Sequence, residues 1–142
     1  MSCYIYFFVR KNDTFVLLDS FSRNSIVFQE FESAPWEKVS KLNLNLIEQA
    51  QNSFCGEIKE LKNEIKKNKG VIKDILKAGI GQAGNEEYVY GLQKDIDEYK
   101  ANIALYKRAV YFMSFVKNIA EFDGNEIYYG MECYDPTLED VE

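Results

Sequence analysis

The sequence predicts an α+β fold: a four-stranded antiparallel sheet, made of a three-strand meander and a C-terminal strand, with a long antiparallel helical hairpin inserted between them. Two observations carry this. The first is a pair of apolar stripes spaced in alternating steps of three and four. One comprises Leu44, Ile47, Gln51, Phe54, Ile58, Leu61, Ile65, Asn68, Ile72 and Ile75. The other comprises Val89, Leu92, Ile96, Tyr99, Ile103, Tyr106, Val110, Met113, Lys117 and Ala120. Such spacing keeps one stripe of a helix against a partner helix, as in a coiled coil. The stripes mirror each other about a glycine-rich segment, so folding there sets Ile75 against Val89, Leu61 against Ile103, Ile58 against Tyr106 and Phe54 against Val110. The second observation is the short apolar runs on either side of the hairpin, rich in aromatic and β-branched residues and separated by turn residues, which read as strands.

The first strand spans Cys3 to Val9 and the second Thr14 to Asp19, with a polar turn at Arg10 to Asp13. Ser25 to Phe31 reads as a third strand, Ile26, Phe28 and Glu30 on one face and Val27, Gln29 and Phe31 on the other. Short connections favour an antiparallel meander. Ser33, Pro35 and Glu37 suit a helix start by capping, by the fixed proline φ and by dipole interaction. The hairpin is therefore expected over residues 35–121, its first helix running from Pro35 to Ala78.

The hairpin tip is expected at Lys77 to Asn85, where glycines end one helix and Asn85, Glu86 and Glu87 suit the start of the next. Phe122 to Asn125 is a turn and Glu126 to Cys133 the fourth strand. Residues 134–142 form an acidic tail expected to be loose. A second stripe, Leu105, Ala109, Phe112, Val116 and Ile119, appears late in the second helix. Trp36, Val39, Leu42 and Leu46 add apolar positions early in the first. A helix with two apolar stripes buries both, so the hairpin base is expected on the sheet and the distal half to project roughly 30 Å at the helical rise.

The chain is expected to be one domain, 1–142, large enough for a core. With a net charge of -6, a generally basic nucleic-acid-binding surface is not expected, and partners with basic patches are favoured. The apolar amino terminus lacks a basic region and a cleavage site and is too short to span a membrane, so it reads as a strand of a cytoplasmic protein. Three widely spaced cysteines give neither a disulfide framework nor a zinc site. Cys3, Cys55 and Cys133 are all expected to be buried as small hydrophobes.

No catalytic constellation emerges. The chain contains no His, which removes His-based triads and metal sites. Gly79-Ile80-Gly81-Gln82-Ala83-Gly84 matches GxGxxG, but a nucleotide site of that type needs a strand entering the turn, and here a long helix enters. Neighbouring carboxylates such as Asp95, Asp97 and Glu98 fall on expected exposed faces. No metal and no cofactor are expected.

The distal hairpin is the expected contact surface. Lysines from Lys59 to Lys77 make the first helix basic, and acids from Glu86 to Glu98 make the facing part of the second helix acidic. Opposite charges of this kind flank an antiparallel seam and help fix its register. Lys69, Lys73, Lys77, Ile80, Gln82, Asn85, Tyr88 and Tyr90 are the candidate binding residues. Exposed tyrosine is an effective contact residue.

In compact size, abundant Lys, Asn, Ile, Tyr and Phe, scarce Pro, absent His and an acidic tail, the chain resembles small accessory proteins of bacteriophages and mobile elements from AT-rich hosts. The resemblance implies a non-enzymatic intracellular factor that binds and inhibits or redirects a host protein, such as one of antiviral defence. No residue's role is carried over from it. The alternatives are a self-assembling homo-oligomer that pairs through hairpins or sheet edges and a nucleic-acid or nucleotide binder that uses the lysine face.

Overall fold

The computed structural model describes residues 3–79, 84–122 and 124–142. Strand β1 (Tyr4–Lys11) and strand β2 (Thr14–Ser22) form a hairpin closed by the Lys11–Thr14 pair. Asn12 turns the corner with φ 55°, a left-handed value that asparagine tolerates better than most residues. Strand β4 (Glu126–Met131) lies antiparallel on the other side of β1, with Phe7 opposite Tyr129. Strand β3, only Ser40–Lys41, pairs antiparallel with β4, giving the order β2-β1-β4-β3. Two long helices, α2 (Leu44–Ala78) and α3 (Asn85–Ala120), pack against each other. The α+β class, the four-stranded antiparallel sheet and the helical hairpin are thus as expected.

The third strand is not where the sequence alternation put it. Residues 26–30 form a short helix, α1 (Ile26–Glu30). Ser25 decides this locally: its hydroxyl accepts the Phe28 N–H at 3.1 Å, an N-cap bond. One helical turn then places Val27, Phe28 and Phe31, all buried, toward the core. Spacings of one and four serve a helix as well as alternation serves a strand. The predicted meander therefore becomes a two-strand hairpin, and the fourth strand comes from a later segment.

That segment also moves the helix start. The Pro35 carbonyl accepts the Met131 N–H at 2.8 Å, and Glu37 N–H donates to the Met131 carbonyl at 2.8 Å. Leu42 N–H donates to the Ile127 carbonyl at 2.7 Å. Residues 35–42 thus satisfy the outer edge of β4, which a helix from Pro35 would leave open. Val39 and Leu42 are buried as expected, though not on a helix, and Trp36 is exposed. Helix α2 begins after Asn43, whose side-chain oxygen accepts the Leu46 N–H at 2.9 Å. The tail is not loose: Val39 N–H donates to the Asp140 carbonyl and Glu142 N–H to the Val39 carbonyl, at 2.9 and 2.8 Å.

The chain divides into two compact units, Met1–Asn52 with Ala109–Glu142, and Ser53–Arg108. In the first unit, Ile5, Phe7 and Val9 line the buried face of β1. Phe7 meets Phe21, Phe31 and Phe112 edge-on at centroid distances of 5.9, 5.5 and 5.1 Å. On the opposite face Phe8 is buried with Val39, Tyr128 and Cys133. Gly130 permits this cover, because a Cβ there would meet the Lys38 carbonyl oxygen. In the second unit the stripe positions are the sheltered ones, with Phe54, Ile96 and Ile103 buried, and the Phe54 and Tyr106 rings lie 6.1 Å apart. Leu105, expected in a second buried stripe, is exposed.

Candidate functional site

Within the Ser53–Arg108 unit, Lys69, Lys73 and Lys77 recur every four residues and so form one row along α2. All three are exposed, and none is ion-paired to a described residue. Lys77 lies in the last turn, where a cation complements the helix dipole. Gly79, at φ 103°, provides the left-handed residue that ends α2. Asn85 is half-buried and donates its side-chain amide to the Gly79 carbonyl at 3.4 Å, tying the start of α3 to the end of α2. Its role is therefore structural in part. Ile80 and Gln82 lie outside the described residues, as does most of the GxGxxG segment.

Tyr90 is 73% exposed and Tyr88 55%. Two residues apart on a helix, they point about 200° away from each other and do not share a face. Tyr90 lines an open depression of about 420 Å³ with Glu86, Val89 and Gln93. These four follow the i, i+3, i+4, i+7 pattern of one helical face. The depression offers an aromatic ring, an apolar floor from half-buried Val89, a carboxylate and an amide: the mixed chemistry of a protein-contact surface.

The sheet unit carries a surface that the sequence reading did not single out. Tyr4, Tyr6 and Phe8 alternate along one face of β1, and their shelter is graded: Phe8 is buried, Tyr6 half-buried and Tyr4 exposed. The Tyr6 ring lies 6.4 Å from Tyr4, 6.3 Å from Phe8 and 6.5 Å from Tyr134, the last strongly exposed. Glu132 stands beside them with φ 55°, and its carboxylate accepts the Tyr4 N–H at 2.8 Å. Burial raises the Tyr6 phenol above its ordinary range, with the charge of Glu132 adding to the effect. The period-two spacing of aromatics in residues 4–8 was the available signal, but it serves equally for a strand buried on both faces.

The cysteines are all free. Cys133 is buried and Cys3 half-buried, but Cys55 is exposed, contrary to the expectation of burial for all three. Among the described residues no group of three or more His, Cys, Asp or Glu is placed to hold a metal ion, and no helix is long and apolar enough to cross a membrane. No protein-family model, curated protein or solved structure matches the chain.

Proposed function

We propose that the protein is a non-catalytic protein-binding module that engages its partner through the distal helical hairpin, residues 53–108. The observation that carries this reading is Tyr90, an aromatic side chain largely in solvent at the rim of a depression shared with Glu86, Val89 and Gln93. Large exposed aromatics beside a sheltered apolar floor are the typical anchors of protein interfaces. The row Lys69, Lys73 and Lys77, with no ion pair to a described residue, supplies steering charge on the same unit. The finer reading follows the resemblance to phage and mobile-element accessory proteins: the partner is a host protein whose activity is inhibited, and the module acts in the cytoplasm, where its three free cysteines stay reduced.

The test is affinity capture from host lysate with the intact chain and with a Tyr88→Ser, Tyr90→Ser variant. Both sites are exposed, so the variant should keep its thermal midpoint. It should lose the captured protein, while a Lys69→Ser, Lys73→Ser variant should slow association in a salt-dependent way. Undiminished capture by the tyrosine variant would refute the hairpin as the contact surface. Retention on nucleic acid that weakens steeply with salt would favour the lysine row as a phosphate-binding face instead.

A further inference from the structure

We propose that the exposed end of the β1 face, formed by Tyr4, Tyr6, Tyr134 and Glu132, is a docking site for an arginine side chain presented by an extended segment of a partner protein. The proposal concerns the sheet unit and does not rest on the hairpin reading.

Three observations converge on this chemistry. The first is the arrangement of rings. Tyr6 is in contact with both Tyr4 and Tyr134, at centroid distances of 6.4 and 6.5 Å and interplanar angles of 46° and 52°. Tilted rings on two sides of a central one present several π faces to a single guest. Cations bind such faces within about 6 Å of the ring centroid. The same sheet face shows this chemistry within the fold: the Arg10 guanidinium lies 5.6 Å from the Tyr128 ring centroid and 5.8 Å from that of Phe15.

The second observation is charge. Glu132 is only partly exposed, yet no described cation lies within ion-pair distance of it. The field of Arg23 reaches the Cys3 thiol. The field of Glu132 reaches the Tyr6 hydroxyl and the Cys3 thiol. The carboxylate accepts the Tyr4 N–H at 2.8 Å and also hydrogen-bonds the Cys3 thiol; with about four lone-pair sites it can still accept more bonds. A guanidinium stacked on Tyr6 completes it.

The third is backbone strain. Glu132 holds φ 55°, a left-handed conformation that glycine or asparagine adopts more readily than glutamate. Its N–H donates to the Tyr4 carbonyl at 2.9 Å while its side chain accepts from the Tyr4 N–H. This fixes the carboxylate beside the rings before any guest arrives, which lowers the ordering cost of binding. Arginine fits better than lysine because its planar fork both stacks and donates to the carboxylate.

The probe is the acetylated, amidated pentapeptide Gly-Gly-Arg-Gly-Gly, titrated against the full chain by NMR beside its citrulline counterpart. The arginine peptide should shift the amides of Tyr4, Tyr6, Glu132 and Tyr134; the citrulline peptide should not. Glu132→Gln retains an acceptor for Tyr4 N–H and should fold, but should weaken binding at least roughly tenfold, the scale of a charge-assisted hydrogen bond. Tyr134→Ala removes an exposed ring and should weaken it several-fold with an unchanged melting midpoint. Absent shifts, equal shifts with citrulline, or undiminished binding by both variants would overturn the proposal. So would a decauridine oligonucleotide that shifts the same amides when the peptide does not.

Discussion

Gln51 and Ser114 join α2 to α3: the glutamine side-chain amide donates to the serine hydroxyl at 2.9 Å in a part-buried setting. Three residues earlier on α2 and three later on α3, Lys117 and Glu48 pair at 3.5 Å. The two contacts advance in opposite directions along the helices, which is the mark of an antiparallel pair, and they fall within one residue of the register inferred from the stripes. The part-buried hydrogen bond is the stronger determinant. Ser114→Ala should lower stability by about 1 kcal/mol, and a double-mutant cycle with Gln51→Ala in denaturant unfolding should show coupling between the two. Lys117→Met should change stability by no more than about 1 kcal/mol, because that pair is partly exposed to solvent and its attraction is screened.

Gly130 is required by a close approach and not by its φ. A Cβ at this position would meet the Lys38 carbonyl, and backbone cannot rotate aside as a side chain can. Relieving the clash would lift residues 36–39 from β4 and break bonds such as Glu37 N–H to Met131. Gly130→Ala should therefore cost at least about 2 kcal/mol in denaturant unfolding, within the range for overpacking. Gly56→Ala, where a Cβ meets nothing within 4 Å and α2 would gain helix propensity, should instead stabilise by up to about 1 kcal/mol.

The buried thiol gives a sign to the alkaline response. Burial raises Cys133 above its ordinary value of 9.0, with Asp140 adding and Lys38 opposing. Above pH 9 the unfolded chain releases a proton that the folded chain retains, so the unfolded state binds fewer protons and stability falls as pH rises. The contribution is complete below pH 9 and is lost through the raised folded value. Tyr129, also raised by burial, adds a second decline that starts near 10. Melting midpoints between pH 8 and 10.5 should fall, and Cys133→Ala should reduce the first part of the slope. In the native state a thiol reagent should modify Cys55 rapidly and Cys133 only on unfolding.

The helical pair was legible because its signal repeats: ten positions on each helix obey one spacing, and of the twenty only Leu44 is exposed. The errors fall where local and nonlocal bonding compete over a few residues. Residues 26–31 satisfy both periods, and the Ser25 cap decides for a helix. Residues 35–42 begin like a helix, but the open edge of β4 claims their backbone groups. That edge belongs to residues nearly a hundred positions away, and no local pattern reveals it. The tyrosine face was hidden for a related reason: the alternation of Tyr4, Tyr6 and Phe8 does not reveal that the cover stops at Phe8.

Ile96 tests whether the distal hairpin is a packed unit in its own right. Its side chain is 0% exposed, the most sheltered stripe position in residues 53–108, and no buried polar or charged residue accompanies it among the described residues. A carboxylate at this position would have no partner in the seam. Ile96→Asp should therefore destabilise by roughly 4 kcal/mol or more, the scale of burying an unpaired charge. Ile96→Val removes one methylene and should cost about 1 kcal/mol. Hydrogen exchange separates local from global effects: amides of residues 60–75 and 90–105 should lose protection in the aspartate variant, while β1 and β4 amides report whether the sheet unit survives. Unchanged protection in residues 60–75 would show that Ile96 does not hold the two helices together.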